Sequence, residues 1–286
     1  MTKLLLFVLA VGVLAGCGYE ESSNSTSEDA NALAAAFNKT NDAGTSRMSF
    51  RIRMEANGEN VDFGGQGSFD YRRARGRVDY DLTDLAKVDP ESEGIGKMTM
   101  VFDGLVFYMQ MEGLRSELPP GKRWLKLDLT KVGGGAGADL GGLSQLSQSP
   151  AQMLAYLRAA STEIEEVGTE TVRGVQTTQY RATVDLRKAL ELQIEQAPPK
   201  FREAMRRDME ESLSTTGLDS IPLDVWIDGE GLPRRMVADF DMTADGEEVH
   251  METGVELFDF GVGVSAPIPP ADEVLDVSAY VPETVE

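Results

Sequence analysis

The sequence predicts an α+β protein in which one long antiparallel β-sheet carries a few helices on one face. Three observations indicate this class. From Met48 onward, apolar residues alternate with polar ones through most of the chain, which is the period of a strand with one buried face. Asn-Gly or Asp-Gly dipeptides separate several of these runs, and such dipeptides are favoured in tight hairpins. Helical periodicity is confined to four short segments.

The N-terminal residues are typical of an export signal. Lys3 precedes an unbroken apolar run, Leu4–Val13, which has the length of a signal-peptide core. The run is too short to cross a bilayer, because a membrane-spanning helix needs about 20 residues. The next four residues, Leu14-Ala15-Gly16-Cys17, resemble the bacterial lipobox. That resemblance implies a diacylglyceryl group on the Cys17 sulfur and cleavage before it. The alternative is an uncleaved anchor or a free thiol.

Lipidation explains why Cys17 is the only cysteine of the chain. The lipidated sulfur is a thioether and cannot act as a nucleophile or metal ligand, while two acyl chains anchor a protein stably where one is marginal. We therefore expect a signal peptide at residues 1–16 and a membrane anchor at Cys17. Residues 17–29 are mostly small or acidic and predict a solvated tether. Residues 30–286 are predicted to form a single domain.

The charge balance excludes some partners. Lys and Arg number 27 against 48 Asp and Glu, for a net charge of −21. Such a chain is not expected to bind nucleic acid or to lay a domain face on anionic lipid. A hydrophobic fraction of 41% is typical of a globular protein.

Ten runs of period two predict the strands, near residues 48–54, 61–71, 78–82, 98–102, 105–111, 125–129, 180–186, 223–227, 236–242 and 249–253. Four dipeptides between runs predict hairpin turns: Asn57-Gly58, Asp103-Gly104, Asp228-Gly229 and Asp245-Gly246. The glycines at 64, 65 and 67 lie inside a predicted strand, where they favour a bulge or strong curvature.

Helices are predicted at residues 28–39, 149–160, 186–196 and 200–214. Ser149-Pro150 supplies an N-cap and first-turn pair for the second of these. Residues 133–142 are glycine-rich and predict a loop. Four short helices are too few to cover the whole apolar face of such a sheet unless the sheet curls.

Little in the chain points to catalysis. The single histidine, His250, is out of phase with its apolar neighbours and should face solvent. A G-x-S-x-G nucleophile motif is absent from the sequence, and one histidine with one acylated cysteine cannot form a His/Cys metal site. Gly133, Gly135 and Ala138 match G-x-G-x-x-A, but without a parallel β-α-β unit. We expect no enzyme activity, no cofactor and no metal.

The methionines suggest a binding surface. Nine of the 13 fall on predicted strands, at positions 48, 54, 98, 100, 109, 111, 236, 242 and 251. Methionine adapts to variable apolar shapes, so these residues form either an ordinary core or the lining of an apolar cavity. Strand parity places ten residues on one side, as the predicted cavity lining: Phe50, Ile52, Met100, Phe102, Phe107, Met109, Val225, Ile227, Ala238 and Phe240.

Three segments resemble a known family. "VQTTQYRATVDLRKAL" at 175–190, "IPLDVWIDGEGLPRRMVADFDM" at 221–242 and "PPADEVLDVSAY" at 269–280 are similar to the LppX/LprAFG-type lipoproteins of actinobacteria. The resemblance implies a LolA-like fold, in which a curved antiparallel half-barrel has helices covering its concave face around an apolar cavity. Some members of that family bind or carry acylated lipids.

Two functions remain open. The first is an extracytoplasmic lipoprotein, anchored to the bacterial membrane through Cys17, that binds an acylated lipid or glycolipid as a carrier or chaperone. The alternative is an envelope sensor or assembly protein of the same fold, whose main partner is another protein. A hydrolase is a distant third. We expect a monomer.

Overall fold

The computed structural model describes residues 33, 35–36, 39–56, 58–87, 96–128, 131, 161–196, 199–244 and 246–278. Helical residues occur at 33, 35–36 and 39–43, here called the N-terminal helical segment. The described strands are β1 (Thr45–Ala56), β2 (Glu59–Asp70), β3 (Arg75–Asp81), β4 (Lys97–Asp103), β5 (Val106–Met111), β6 (Trp124–Asp128), β7 (Ser161–Val172), β8 (Val175–Asp185), β9 (Ser220–Asp228), β10 (Pro233–Ala244), β11 (Glu247–Phe258) and β12 (Val274–Asp276). The α-helices are α1 (Leu186–Gln196) and α2 (Pro199–Thr216), and 3₁₀ turns occupy Thr83–Lys87, Gly113–Ser116 and Ala271–Glu273.

The strands belong to one twelve-stranded sheet with the order β12-β6-β5-β4-β3-β2-β1-β11-β10-β9-β8-β7. From β2 to β6 and from β7 to β11, neighbouring strands are antiparallel, as the sequence predicted. The parallel pair β12–β6 was not predicted, so the sheet is mixed. The α+β class is confirmed.

The chain divides into two compact units. Unit 1 comprises Met1–Thr40, Ile52–Asn60 and Leu146–Glu256, and unit 2 comprises Asn41–Arg51, Val61–Gln145 and Leu257–Glu286. The predicted boundaries of the signal peptide and the tether lie outside the described residues. No helix in the described part of the chain is both long enough and apolar enough to cross a bilayer.

In unit 1, two helices follow β8 and pack on each other and on the sheet. The Oδ1 atom of Asp185 accepts a hydrogen bond from the Lys188 N–H at 2.9 Å, which caps the start of α1. Gly217 ends α2 with a left-handed φ of 64°, and its N–H donates to the Leu213 carbonyl at 2.9 Å. Ile194, Met209 and Leu213 form the apolar contact between the helices.

The helix predictions are confirmed where they can be compared. The helix predicted at 186–196 is α1, and the one predicted at 200–214 is α2 with slightly wider bounds. The described residues of the first predicted helix at 28–39 are helical. The helix at 149–160 and the loop at 133–142 lie outside the described residues. Strand β7 was not predicted.

In unit 2, strands β2 to β6 form a meander of antiparallel hairpins. One side of it carries a small core in which Val101, Tyr108 and Trp124 are buried. Ala266, from the irregular segment that follows β11, packs into the same cluster, with Val264 and Val274 at its margin.

All four predicted turn dipeptides fall at junctions of consecutive strands, and Asp103 and Asp228 are the last residues of β4 and β9. Gly58, Gly104 and Gly246 have left-handed φ values of 76°, 62° and 84°, which glycine adopts without steric cost. Between β9 and β10 the left-handed residue is Gly231, at 81°, two positions after the predicted Gly229. Asn57 and Asp245 lie outside the described residues.

The glycines inside β2 allow a backbone approach that no other residue permits. A Cβ added at Gly65 would lie 2.3 Å from the Asp79 carbonyl oxygen, and one at Gly67 would lie 2.3 Å from the Arg77 carbonyl oxygen. Because both obstacles are backbone atoms of β3, the strand itself would have to move. The glycines therefore fix how closely β2 and β3 pair.

We predict that Gly67→Ala lowers the free energy of unfolding by about 1–3 kcal/mol, the usual cost of forcing extra atoms into a packed site. Gly263→Ala is the matched control, because a Cβ at Gly263 meets no atom within 4 Å. Urea unfolding of both variants measures the difference. Equal stabilities would show that β2 does not need glycine at position 67.

Candidate functional site

One side of the unit 2 meander is lined by methionine and phenylalanine. In an antiparallel pair, directly opposed residues project from the same side of the sheet. Met98 opposes Met111, Met100 opposes Met109, and Phe102 opposes Phe107. Extending this register to the neighbouring strands defines the methionine–phenylalanine face, which consists of Phe69, Val78, Tyr80, Met98, Met100, Phe102, Phe107, Met109, Met111, Leu125 and Leu127.

This face is apolar but only partly buried, whereas the other side of the same strands mixes buried residues with exposed charged ones such as Asp79. Val78 and Met98 are buried, whereas its nine other members are half-buried. On the opposite side, Val101 has no exposed surface and Tyr108 is 8% exposed. The long apolar side chains of the methionine–phenylalanine face therefore keep part of their surface accessible.

Aromatic rings form a row at the end of this face nearest the β2–β3 and β4–β5 turns. The ring centroids of Phe69 and Phe102 lie 6.1 Å apart, and those of Phe102 and Phe107 lie 5.5 Å apart, both nearly edge-on. Tyr71 continues the row, with its centroid 5.5 Å from that of Phe69. Its hydroxyl shares a hydrogen bond of 2.7 Å with the buried Ser46 hydroxyl.

Missing Cβ atoms allow two phenylalanine rings to lie against the sheet. A Cβ at Gly76 would lie 2.3 Å from Cδ2 of Phe69, and a Cβ at Gly65 would lie 2.7 Å from the Phe50 ring. Phe50 also contacts Tyr80, with ring centroids 4.9 Å apart. Phe50 therefore belongs to the same side of unit 2.

Five of the ten predicted cavity residues come together on this side of unit 2. Met100, Phe102, Phe107 and Met109 do so through strand register, and Phe50 does so through its contacts with Tyr80 and the Gly65 position. Sequence parity thus placed these five on a common side. Whether they line a cavity stays a prediction.

The other five predicted cavity residues belong to unit 1 and are more tightly packed. Val225 has no exposed surface, Ile227 is 6% exposed, and both lie in a cluster with Leu33 and Ala36 of the N-terminal helical segment. Ile52 and Phe240 are also buried, at 7% and 6%. Ala238 is half-buried and opposes Leu223. In unit 1, helical residues thus cover the side that carries Val225. Cys17 lies outside the described residues.

The other side of unit 1 is polar and crossed by ion pairs between neighbouring strands. Arg181 Nε lies 2.9 Å from Asp224 Oδ1, and Arg53 Nη1 lies 2.6 Å from Glu252 Oε1. The buried Trp226 donates its indole N–H to Glu170 at 2.8 Å. Sequence reasoning missed this last contact because Glu170 lies on the unpredicted strand β7.

His250 lies on β11 between two carboxylates of β10. Its Nδ1 is 2.9 Å from Asp241 Oδ1, and its Nε2 is 3.4 Å from Asp239 Oδ1. The hydrogen bond with Asp241 raises the pKa of His250 above its ordinary value, with Asp239 contributing through charge. The ring is 48% exposed, so it faces solvent as predicted. Among the described residues, no group of three His, Cys, Asp or Glu side chains is placed to hold a metal ion.

Sequence comparison gives one distant curated relative, and no protein-family model matches the chain. The relative is a Streptomyces griseus protein described as an uncharacterized 31.2 kDa protein in the rplA-rplJ intergenic region. The two are 27% identical over 182 residues, which cover 59% of this chain and 53% of that protein. The chain therefore spans about half the length of the curated relative that it matches.

Structural comparison finds two mycobacterial lipoproteins at low sequence identity. Mycobacterium tuberculosis lipoprotein LppX is 15% identical, with 83% of this chain and 99% of that chain covered, at a TM-score of 0.44. LprF from Mycobacterium bovis is 13% identical, with 86% and 99% covered, at a TM-score of 0.43.

We predict that His250 stabilises the folded protein only when it is protonated. Its folded-state pKa is raised above the ordinary 6.5, so the stabilisation is fully present below pH 6.5 and is lost as the pH rises through the folded-state pKa. His250→Gln should lower the free energy of unfolding by about 0.2–1 kcal/mol at pH 5, the range for exposed ion pairs, and hardly at all at pH 9.

Urea unfolding at the two pH values measures the effect. Asp241→Asn is the companion variant, since it removes the main partner of the ring and should reduce the pH dependence in the same direction. A His250→Gln cost that is the same at pH 5 and pH 9 would contradict the prediction.

Proposed function

We propose that this chain is a membrane-anchored extracytoplasmic lipoprotein that binds an acylated, apolar ligand on the methionine–phenylalanine face of unit 2 and acts as a carrier or chaperone. The observation that carries the proposal is the incomplete burial of that face, where nine long apolar or aromatic side chains keep accessible surface. Ligand sites are typically apolar and lined by such side chains.

The residue types on this face suit a ligand made of flexible chains. Methionine has three rotatable bonds and a polarizable sulfur, so Met100, Met109 and Met111 can repack around acyl chains of different length or shape. The aromatic row of Phe69, Phe102 and Phe107 supplies a firmer wall at one end. A surface with adaptable and rigid parts favours a class of lipids over a single compact molecule.

The proposed mechanism is physical and breaks no covalent bond. Each buried methylene is worth about 0.8 kcal/mol when it leaves water. A chain that moves from a bilayer to an apolar protein face leaves one apolar environment for another, so the net free-energy change is small. Transfer is then reversible, which is what a carrier requires.

The proposed anchor keeps the domain close to its source of lipid. Two acyl chains on Cys17 would hold the protein at the membrane. The tether at residues 17–29 is 13 residues long and reaches at most about 45 Å when fully extended. Within that radius the domain can approach the bilayer surface.

We predict that the double variant Met100→Gln with Met109→Gln loses most of its co-purifying lipid. Glutamine has a similar length but places an amide on the apolar face, where each substitution should cost about 1 kcal/mol of stability or less because both sites are half-buried. Mass spectrometry of organic extracts from equal amounts of purified protein measures the lipid. The matched control is Met205→Gln, the same change at a side chain on α2 that is 37% exposed.

Two results would contradict the carrier proposal. If wild-type protein yields no lipid, the methionine–phenylalanine face is part of a core, and the alternative role of an envelope sensor or assembly protein with a protein partner replaces it. If the double variant and the control retain equal amounts of lipid, the ligand binds elsewhere on the chain.

We also predict that Cys17→Ala abolishes acylation and cleavage. In a bacterial host supplied with labelled palmitate, the wild-type protein should incorporate label and the variant should remain an unlabelled precursor. The folded part should unfold in urea as the wild type does, because residue 17 precedes it. Label on the variant would show that Cys17 is not the lipidated residue.

A further inference from the structure

The end of the methionine–phenylalanine face carries a group of arginines. The β2–β3 turn, residues 71–74, and the β4–β5 turn lie together, and the Gly104 N–H donates to the Ala74 carbonyl at 2.9 Å. The aromatic row described above ends at these turns, because Phe69 opposes Gly76 and Gly76 opposes Phe102. Four arginines occur between residues 72 and 77.

Two of these arginines hold the hairpin and two remain accessible. Arg75 lies 3.6 Å from Asp103, and Arg77 lies 2.7 Å from Asp79, so both are engaged with carboxylates of the sheet. Arg73 binds Asp70 through one guanidinium nitrogen, at 2.6 Å, yet its side chain is 77% exposed. Arg72 is exposed as well.

A backbone carbonyl within unit 2 fixes the position of Arg72. One guanidinium nitrogen of Arg72 donates to the carbonyl oxygen of Asp42, at the C-terminal end of helical residues 39–43, where a cation is favoured. Gly44, which ends the segment with φ of 79°, leaves room for the guanidinium beside it. No carboxylate among the described residues forms a salt bridge with Arg72 within 4.0 Å. A guanidinium has five N–H donors, so Arg72 and Arg73 each keep donors for a further acceptor.

An apolar face that ends in arginines matches the two parts of an amphiphile. Arginine binds phosphate through parallel N–H···O bonds, and such charge-assisted bonds are about twice as strong as neutral ones. The net charge of −21 repels an anion from most of the protein surface. A cationic group at the end of the apolar face therefore selects both the headgroup and the direction in which the lipid lies.

We propose that Arg72 and Arg73 bind the anionic phosphate headgroup of the lipid whose acyl chains lie on the methionine–phenylalanine face. This inference rests on the proposed function and names its ligand class as anionic phospholipids or phosphate-bearing glycolipids. The chains extend from the aromatic row toward Met98 and Met111, at the opposite end of the strands.

The test compares two lipids with identical chains. Delipidated full-length protein is titrated in detergent with dioleoyl phosphatidylglycerol and with dioleoylglycerol, which has the same chains but no phosphate, and native mass spectrometry measures the bound fraction of each. Hydrogen bonds to charged groups contribute about 1.5–3 kcal/mol, so the wild type should prefer phosphatidylglycerol about tenfold or more. Arg72→Gln with Arg73→Gln should reduce this preference to about twofold or less.

Three further variants serve as controls. Arg206→Gln with Arg207→Gln makes the same charge change at exposed positions of α2 and should keep the preference. Arg72→Lys with Arg73→Lys retains the charges and should keep most of it. Arg73→Gln alone leaves the Arg72 contact with Asp42 intact, and it should weaken the preference without loss of folding.

The outcomes separate the two proposals. Equal binding of both lipids to wild type, or a preference that survives the double substitution to Gln, overturns the headgroup site and leaves the carrier function in place. Binding of neither lipid overturns the carrier function itself. Binding of inorganic phosphate as tight as that of phosphatidylglycerol, or a preference seen only for intact phosphatidylglycerol vesicles, shows a free-ion or membrane-docking site and also overturns the inference.

Discussion

Strand register is the constraint on which the rest of this structure depends. Because side chains alternate between the two sides of a strand, a slip of one residue would exchange every apolar residue with a polar one. Met100 opposes Met109 on one side of the β4–β5 pair, while Val101 opposes Tyr108 on the other. The short turns set this register, and the glycines of β2 let the backbones of β2 and β3 approach closely enough to keep it. The half-buried face and the small buried core are therefore two consequences of one pairing.

Periodicity predicted the elements that have a regular pattern and missed those that do not. Helix α1 matched its predicted bounds because apolar residues recur at helical spacing between a capping Asp185 and the prolines after it. Strand β7, in contrast, has glutamate at positions 163, 165, 166 and 170, and it lies at the edge of the sheet. Charged residues protect such an edge from pairing with other chains, and they also erase the alternation that identifies a strand. Strand β12 has three residues and pairs with β6 across 150 positions, a length and separation that no local pattern reveals.

The same limit applies to the candidate site. Parity identifies which residues share a side, and for Met100, Phe102, Phe107 and Met109 that inference was correct. Parity does not report what covers a side, because coverage comes from segments distant in sequence. Val225 is fully buried beneath Leu33 and Ala36, whereas Met100 is only half-buried. Both are apolar residues on strands, and sequence parity predicted the same role for them. The difference between a fully buried side and a half-buried side therefore arises from packing by distant segments, and strand register alone does not decide it.

The alternation of side chains along each strand also separates the charged residues from the apolar face. Much of the positive charge of this acidic chain is used in cross-strand pairs, such as Arg181 with Asp224 and Arg53 with Glu252, on the side away from the buried cluster of unit 1. Each exposed pair contributes little stability, so their main effect is to keep that side hydrated and unable to pack against another apolar surface. Where the sheet ends in a turn, register no longer assigns a side chain to either face. Arg72 and Arg73 lie at such an end, next to Tyr71 and the aromatic row. Charged side chains can therefore lie beside the apolar face at this turn. Along the paired strands of the same hairpin, alternation keeps charged and apolar side chains on opposite sides.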